Sequence, residues 1–445
     1  MNGIRGEVAV IGLGRSGRAA VRWLRREGHA VYGADGGRSP ALEGTAGELR
    51  SLGAAIDLGG YDEERVGRAG LVVVSPGVPP GVAPLAAARS AGVEIVAEAE
   101  LGLRALGGRI PYVAITGTNG KTTTTALVEH LLVSAGRRAL AAGNIGTPLT
   151  EVALMGEPPE VLAVELSSFQ LHDMPTVAPS VGILTNLAPD HLDRYPTIEG
   201  YYGDKMRMFA RATPASRWVL NHDDPISIRW LEGVTGQRRD FSTNERAEGW
   251  YDRQAGALRI GDALVLPRDQ LPLIGDHNVA NALAAALAVG WLGLDVAAIG
   301  RGLASALPLK HRMEPVREVR GVWWVNDSKA TNVASTEVAL RAMTRPFVLL
   351  LGGRHKGEPY TRLGPLLGGC RAVIAYGEAK PLISADLGPT TTVIPGGSFE
   401  EVVAIAASQA RPGDAVLLSP ACSSYDMFAN YEERGARFRA IVEAL

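Results

Sequence analysis

A glycine-rich loop between a strand and a helix constrains the fold of this chain more than any other feature. The apolar run Tyr112–Ile115 reads as a strand, and a helical pattern covers Thr123–Ser134. Between them, Thr116–Thr122 reads TGTNGKT. In such a unit, the backbone N–H groups of the loop and the positive end of the helix face an anion. The sequence therefore predicts an α/β domain that binds nucleotide phosphates.

The side chains of this loop indicate how ATP is held. Lys121 is expected to reach the outer phosphates, and the Thr122 hydroxyl to ligate Mg²⁺. The usual nucleotide loop has glycine where this chain has Ile115. An ordinary turn with a surface lysine is the alternative, and the flanking strand and helix argue against it. The expected ATP-binding residues of the loop are Gly117, Thr118, Asn119, Gly120, Lys121, Thr122 and Thr123.

The alternation of strand-like and helical patterns predicts α/β domains with mainly parallel sheets. A length of 445 residues suits several such domains. We expect a Rossmann-like N-terminal domain over residues 1–100, a P-loop ATPase-like central α/β domain over 101–306, and a Rossmann-like C-terminal α/β domain over 307–445. The region Arg217–Leu273 of the central domain is expected to carry a small antiparallel sheet.

Charge, cysteine content and hydropathy exclude several classes of protein. The net charge of −2 gives no reason to expect a nucleic-acid partner. Two cysteines, Cys370 and Cys422, are too few for a disulfide framework and suit a cytoplasmic location. No apolar run approaches the ~20 residues that span a bilayer, so membrane insertion is not expected.

A second glycine-rich turn, Gly12–Gly17, follows the first predicted strand, and Asp35 ends the second. This pattern is typical of a dinucleotide-binding turn with an acid that binds the ribose. Any nucleotide diphosphate can use such a turn, so the pattern does not specify NAD. A tight turn without a ligand is the further alternative.

Two strand ends of the central domain carry candidate metal ligands. Glu165 follows the strand 161–164 and could ligate Mg²⁺, with a surface acid as an equal alternative. His191 lies in the polar segment Asp190–Tyr195, although lone histidines are more often structural. Lys205, read alone, is an ordinary lysine on an amphipathic helix.

Two asparagines open an alanine-rich helical segment. Asn278 and Asn281 are three residues apart and share one helix face. Asn278 is expected to cap the helix, and binding of a base or phosphate is the alternative.

Three polar loops, at 326–332, 351–357 and 419–426, follow three predicted strands of the C-terminal domain. Because the carboxyl ends of parallel strands meet at one edge of a sheet, we expect the loops to converge. Lys329 and Lys356 place cations there, which suits a small anionic substrate, and a solvated rim is the alternative. Cys422 has no adjacent base and is expected to be an inert, packed thiol.

Together these segments resemble the Mur ligases, which form amide bonds with ATP in peptidoglycan synthesis and so serve cell-wall biogenesis, cell shape and cell division. The resemblance covers nearly the whole chain. It rests on the TGTNGKT loop, on ELSS at Glu165–Ser168, on DHLD at Asp190–Asp193 and on His277-Asn278. Further segments resemble the members that add D-glutamate, namely DSKATN at Asp327–Asn332, Gly352-Gly353 with Lys356, and SPA at Ser419–Ala421.

The resemblance implies a reaction in which the ATP γ-phosphate passes to the carboxylate of UDP-N-acetylmuramoyl-L-alanine, and the amine of D-glutamate then attacks the acyl phosphate. It implies two Mg²⁺ sites, one with Thr122 and Glu165 and one with His191 and a carbamate on Lys205. Lys121, Glu165, His191 and Lys205 are thereby the expected catalytic residues. The resemblance also implies that the C-terminal domain closes to assemble the site, and we expect a monomer.

The resemblance further implies the binding residues. Asn278, Asn281, Arg312 and Asp327 would frame ATP. The first glycine-rich turn would hold UDP rather than NAD, and the UDP-substrate set is Gly14, Arg15, Ser16, Asp35, Ser75, Gly77, Asn144, Ser167 and His191. The D-glutamate set is Lys329, Thr331, Lys356, Ser424 and Tyr431. Gly36-Gly37 departs from the Thr-Arg expected after Asp35, so contacts to the uracil in that loop are not predicted.

Three other functions compete with this interpretation. Another amide ligase on the same scaffold, such as a folylpolyglutamate synthetase or a neighbouring Mur enzyme, does not account for the DSKATN loop. An NAD-dependent dehydrogenase that uses the first glycine-rich turn leaves the Lys121 loop unexplained. The third is a nucleotide-binding regulator without catalytic activity.

Overall fold

The computed structural model describes residues 5–191 and 194–445, which divide into two compact units. The first unit comprises Met1–Gln270 and Ala280–Ala304, and the second comprises Leu271–Val279 and Ser305–Leu445. In the described part of the chain the strands form three sheets, two in the first unit and one in the second. No helix of that part is long and apolar enough to cross a membrane.

The first sheet has five parallel strands in the order β3-β2-β1-β4-β5. The strands are β1 Val8–Ile11, β2 Val31–Asp35, β3 Ala55–Leu58, β4 Leu71–Val74 and β5 Ile95–Ala97. The helices are α1 Arg15–Arg26, α2 Pro40–Ser51, α3 Glu63–Gly67, α4 Ala83–Ser90 and α5 Glu98–Leu106. The strand order reverses between β1 and β4, and ligands bind at such a switch point in open α/β sheets. The turn after β1 and the loop after β4 therefore lie side by side.

The second sheet has the order β14-β13-β12-β11-β10-β9-β6-β8-β7. Its strands are β6 Tyr112–Thr116, β7 Ala139–Gly143, β8 Val161–Glu165, β9 Val181–Leu184, β10 Arg217–Asn221, β11 Gln237–Ser242, β12 Gly249–Asp252, β13 Ala257–Ile260 and β14 Ala263–Pro267. The helices are α6 Lys121–Ser134, α7 Leu149–Val152, α8 Ser168–His172, α9 Ile198–Met206, α10 Pro225–Trp230, α11 Asp276–Trp291 and α12 Val296–Ala304.

The predicted antiparallel strands extend this central sheet rather than standing apart from it. Strands β12, β13 and β14 pair antiparallel. Strands β10 and β11, which lie in the same predicted region, pair parallel to each other and join β12 to β9. The antiparallel pairing is thus confirmed for the last three strands only.

The third sheet has the order β15-β16-β20-β17-β18-β19. Its strands are β15 Glu314–Val319, β16 Val322–Asn326, β17 Phe347–Gly352, β18 Cys370–Tyr376, β19 Val393–Pro395 and β20 Ala415–Leu418. The helices are α13 Val333–Arg341, α14 Lys380–Leu387, α15 Phe399–Gln409 and α16 Tyr431–Glu443. Because β16, β20 and β17 are parallel neighbours, the three polar loops that follow them converge at one edge, as predicted.

Candidate functional site

The loop between β6 and α6 depends on its glycines for its shape. Gly117 and Gly120 have φ angles of 141° and 84°, which side chains rarely adopt. A Cβ on Gly117 would lie 2.0 Å from Thr185 Oγ1, and one on Gly120 would lie 2.4 Å from Asn281 Oδ1. Thr124 Oγ1 donates to the same Asn281 oxygen, so α11 packs directly against this loop.

The Lys121 side chain folds back onto this loop. Its Nζ donates to Gly117 O and Thr118 O, each across 2.8 Å. The Thr118 hydroxyl donates to Ala188 O and accepts from Ala188 N and Tyr201 Oη, which fixes the loop against the chain that follows β9. The ammonium group is therefore held at the start of α6, where a helix end favours an anion.

Glu165 is a buried acid next to the loop. It ends β8, pairs in register with Ile115 of β6, and is only 2% exposed. Asn144 Nδ2 donates to its Oε1 across 2.8 Å. Among the described residues nothing hydrogen-bonds the buried Oε2. The alternative of a surface acid is therefore wrong.

The open oxygen of Glu165 is what a Mg²⁺ site requires. Buried carboxylate oxygens normally have partners, and Mg²⁺ prefers oxygen ligands together with substrate phosphates. Within residues 5–191 and 194–445, no group of three or more His, Cys, Asp or Glu side chains is placed to hold a metal ion alone. Glu165 thus fits a metal whose other ligands are nucleotide oxygens, and not a cage built by the protein.

Lys205 is not a surface lysine, although its sequence context alone favours one. It is 1% exposed on α9, and its Nζ donates to Gly117 O across 2.8 Å. The same Nζ lies 4.5 Å from the centre of the Tyr201 ring. Burial holds the pKa of Lys205 well below its usual range, and the charge of Lys121 lowers this pKa further.

His191 also packs against Tyr201. The two rings meet edge to face, with their centres 5.9 Å apart. His191 has a φ of 55°, which is uncommon for a non-glycine residue and often marks a functional position. Tyr201 therefore contacts both candidate ligands of the second metal, His191 and Lys205. Leu192 and Asp193 of the DHLD motif lie outside the described residues.

Asp35 organises the N-terminal turn through the backbone. Its Oδ2 accepts from Leu13 N and its Oδ1 from Gly37 N, each across 2.8 Å. Ser75 Oγ donates to Gly12 O across 2.7 Å, which ties the loop after β4 to the turn after β1. Gly14 precedes α1, and Arg15 and Ser16 form its first turn. These predicted UDP-substrate residues are thus brought together at the switch point.

A cavity of about 210 Å³ lies in the first unit between residues of Val74–Pro80 and residues of Phe169–Asp173. Ser75 lines it, and Arg194 Nη2 donates to Gly77 O at 3.4 Å. Ser167 caps α8 nearby through a reciprocal pair of hydrogen bonds with Gln170. The cavity is mostly apolar, with His172 and Asp204 at its polar end, where His172 Nδ1 lies 2.9 Å from Asp204 Oδ1.

In the second unit, Lys329 and Tyr431 form a close pair. Lys329 Nζ donates to Tyr431 Oη across 2.6 Å and lies 4.1 Å from the ring centre. The loops after β17 and β20 are bridged by Arg354 N to Ser423 O and by Ser423 N to Arg354 O. Ser424 is 2% exposed, Thr331 is half-buried and Lys356 is exposed. Cys422 is completely buried, as expected of a packed thiol, and burial raises the pKa of this thiol to about 11.

Asp327 joins two of the converging loops. Its Oδ2 accepts from Ser419 Oγ across 2.9 Å, and its Oδ1 from Met313 N across 3.1 Å. Burial raises the pKa of Asp327 to about 7. Arg312 precedes Met313 in the same segment.

Asn278 is the third residue of α11 and donates to Ile274 O across 2.8 Å, so the expectation that it occupies the N-cap is wrong.

Three residues lie at these sites although no motif points to them: Tyr201, His311 and Arg434. His311 accepts Lys329 N through its carbonyl oxygen and meets the Tyr431 ring edge to face. Arg434 is completely buried. A weak signal exists for Arg434, because it precedes the buried Phe438 and Val442 at intervals of four on α16 and so shares their apolar face.

Most of the chain matches known protein families. Family models match in three parts: the MurD-like N-terminal domain of Mur ligases over residues 6–97, the Mur ligase middle domain over 115–289, and the Mur ligase glutamate ligase domain over 311–422. Each matched range falls inside one predicted domain, whose boundaries at 100 and 306 stay predictions.

Several curated relatives and solved structures are similar over nearly their full lengths. The UDP-N-acetylmuramoylalanine–D-glutamate ligases of Anaeromyxobacter dehalogenans and Geobacter metallireducens are 43% and 41% identical over 98% of this chain and 96% and 97% of theirs. The pseudomurein peptide ligase type C from Methanothermus fervidus has a TM-score of 0.63 at 21% identity, covering 99% and 100% of the two chains. MurF ligase from Thermotoga maritima in complex with ADP has a TM-score of 0.61 at 18% identity, covering 100% and 96%. The chain belongs to the Mur ligase family.

Proposed function

We propose that the protein is an ATP-dependent ligase that joins D-glutamate to UDP-N-acetylmuramoyl-L-alanine in peptidoglycan precursor synthesis. Two relatives that carry this activity in their names align with 98% of the chain at 43% and 41% identity. The observation in the molecule that carries the proposal is the cluster of Lys121 and Lys205 on Gly117 O, beside the open oxygen of Glu165.

This cluster suits activation of a carboxylate by ATP. A carboxylate does not react with an amine in water, because oxide is a very poor leaving group. Transfer of the γ-phosphate replaces oxide by phosphate, and the amine can then displace phosphate through a tetrahedral intermediate. Lys121, whose Nζ donates to Gly117 O, would bind the phosphates, and a cation there would stabilise charge that develops in the transition state.

We assign two Mg²⁺ ions to this site, one held by Thr122 and Glu165 and one by His191 and a carbamate on Lys205. The metal charge would neutralise the phosphate oxygens of ATP. Asn144 orients Glu165 by its hydrogen bond to Oε1. Tyr201 contacts both His191 and Lys205 through its ring.

The two organic substrates are assigned to separate groups of residues. The UDP moiety is proposed to bind at the turn after β1, which Asp35 and Ser75 shape. D-glutamate is proposed to bind at the three converging loops of the second unit, where Lys329, Lys356, Thr331 and Ser424 offer charges and hydroxyls to an amino acid with two carboxylates. Tyr431 positions the Lys329 ammonium group. The cytoplasmic location and the monomeric state remain predictions.

The competing functions are not favoured. The names of the matched relatives are those of ligases, whereas a dehydrogenase would need the first turn for NAD and would leave the second loop unused. The oxygens of Asp35 already accept backbone N–H groups, which makes this acid a support of the turn. Thermal-shift measurements with NAD, ATP and the UDP-substrate separate these functions, because only a bound ligand raises the Tm.

The decisive assay is phosphate release from ATP in the presence of UDP-N-acetylmuramoyl-L-alanine. We expect release with D-glutamate and little release with L-glutamate, D-alanine, L-lysine or diaminopimelate. Omission of the UDP-substrate is the control, and it should abolish the release. A preference for L-lysine or diaminopimelate would assign the chain to a neighbouring activity of the family.

A further inference from the structure

Arg434 is the largest side chain that is completely buried in this protein's described residues, with 0% exposure. It lies one turn after Tyr431 on α16. Long charged side chains are almost never fully buried without a partner of opposite charge. The position of Arg434 therefore needs an explanation beyond packing.

The guanidinium group binds only neutral oxygens. Nε donates to Ser328 Oγ at 3.0 Å, Nη2 to Ser328 O at 2.8 Å and Nη1 to Cys422 O at 3.2 Å. Among residues 5–191 and 194–445, no ion pair joins Arg434 to a carboxylate, whereas Arg439 on the same helix pairs with Glu314 and Glu443. A buried charge without an ionic partner is strongly unfavourable unless something else compensates it.

The three hydrogen bonds fix the loops that carry the proposed D-glutamate residues. Ser328 precedes Lys329, and its hydroxyl also donates to Tyr431 O across 2.8 Å. Cys422 lies two residues before Ser424. The third loop lies close to the same group, because a Cβ added to Gly353 would lie 3.2 Å from Arg434 Nη1. Arg434 thus hydrogen-bonds to two of the converging loops and lies next to the third.

The positive charge of Arg434 acts on two buried groups of these loops. It lowers the pKa of Cys422 and that of Asp327, in both cases against the larger, opposing effect of burial. An anion bound at the loops would experience the same attraction, since the interior screens charges weakly. A bound dicarboxylate would add negative charge near Arg434, whose hydrogen bonds go to uncharged oxygens.

We propose that Arg434 is a positioning residue for the D-glutamate site: it holds the loops of Lys329 and Ser424 in register and adds a buried positive charge that favours an amino acid with two carboxylates. This inference rests on the proposed ligase function. It differs from the assignments of Lys329 and Lys356, because Arg434 is covered by the loops and acts through them.

The test compares Arg434→Met, which removes charge and hydrogen bonds at similar length, with Arg434→Lys, which keeps the charge. We expect Arg434→Met to raise the KM for D-glutamate by about tenfold or more, since a displacement near 1 Å or the loss of one charge interaction has effects of this order. The KM for ATP and for the UDP-substrate should change less than about twofold. Arg434→Lys should recover part of the D-glutamate KM.

Arg439→Met is the matched control, because it removes an arginine of the same helix that has its own ionic partners. It should lower the Tm without a selective effect on D-glutamate. The inference is overturned if folded Arg434→Met keeps the wild-type KM for D-glutamate, or if all three KM values rise together. If Arg434→Met does not fold, Arg434→Lys takes its place in the test. The inference is then contradicted if the KM of Arg434→Lys for D-glutamate is no higher than the KM of Arg439→Met for D-glutamate. Failure of the proposed function is separate, because wild-type protein would then show no D-glutamate-dependent turnover.

Discussion

Lys121 and Lys205 donate hydrogen bonds to the same carbonyl oxygen, that of Gly117, each across 2.8 Å. Two ammonium groups so close to each other repel, and Lys205 is also buried. Burial first and Lys121 second therefore lower the pKa of Lys205 well below its usual range. A neutral amine is the form that adds to carbon dioxide, and the resulting carbamate would be attracted by Lys121. The lowered pKa of Lys205 therefore supports the proposed carbamate.

Replacement of Lys205 tests this directly. Lys205→Ala should be nearly inactive and should be partly rescued by acetate, because a small carboxylate can occupy the oxygen site of a carbamate. Lys205→Arg should not be rescued, since its bulk and charge remain. Lys380→Ala is the control, because Lys380 likewise donates to a backbone carbonyl, Gly396 O at 3.2 Å, but in the second unit. Normal activity of Lys205→Ala in buffer depleted of carbon dioxide would show that the carbamate is not needed.

Removal of the Lys121 ammonium should slow the chemical step. We expect kcat of Lys121→Ala to fall by roughly 10²–10³, as for the loss of one well-placed donor to a transition state. Binding of the UDP-substrate, measured by calorimetry, should stay close to that of the wild type, because the turn after β1 is unchanged. Full activity of the variant would contradict the assignment of the phosphate loop.

The Tyr431 hydroxyl should matter for D-glutamate alone. Tyr431→Phe keeps the ring beneath Lys329 and removes the hydrogen bond of 2.6 Å. We expect a rise of about tenfold or more in the KM for D-glutamate, as for the loss of one hydrogen bond to a charged group, with the KM for ATP unchanged. Lys356→Ala should also act mainly on the KM for D-glutamate. An effect of either variant that is confined to ATP would contradict the assigned roles.

Glu98 should make stability depend on pH. Its Oε1 accepts from Thr150 N and Thr150 Oγ1 at 2.7 and 2.6 Å, and complete burial raises its pKa from 4.5 to about 7. The folded state thus holds this proton more tightly than the unfolded state does. The free energy of unfolding contributed by Glu98 is fully present below about pH 4.5 and is lost as the pH rises through about 7.

Glu98→Gln should therefore show a smaller loss of stability between pH 5 and pH 8 than the wild type. The difference should be on the order of 3 kcal/mol, since one pKa unit corresponds to about 1.36 kcal/mol. Denaturant unfolding at the two pH values measures it. Glu157→Gln is the control, because the Glu157 side chain is 92% exposed and should leave the pH dependence unchanged. Equal pH dependence in Glu98→Gln and wild type would contradict this origin.

The sequence predicts the strands that are buried on both faces better than those with little apolar character. Apolar runs such as Leu71–Val74 are recognised as strands, because parallel strands covered by helices on both faces are apolar throughout. Strand β7, with the sequence ALAAG, is not predicted, because alanine and glycine are poor strand formers. Helix α6 begins at Lys121 rather than Thr123, since the left-handed Gly120 ends the loop immediately before it.

The sequence predicts several residues of the candidate site, but it does not predict the contacts between them. Strand ends locate Lys121, Glu165 and Lys329, because loops at the carboxyl edge of a parallel sheet bind ligands. The bond from Lys205 to Gly117 joins residues 88 positions apart, and no local pattern encodes it. The sequence does not predict the burial of Arg434 for another reason. An arginine is expected at the surface, and only the position of Arg434 on the apolar face of α16 indicates that it is buried.

Oxygen transfer tests the central claim, activation of a carboxylate by the γ-phosphate of ATP, most directly. The UDP-substrate is labelled with heavy oxygen in its L-alanine carboxylate and is incubated with ATP, Mg²⁺ and D-glutamate, and the released phosphate is analysed by mass spectrometry. If the carboxylate attacks the γ-phosphate and the amine then displaces phosphate, one labelled oxygen leaves with each phosphate. Phosphate that carries no label, while the amide product still forms, would contradict the account.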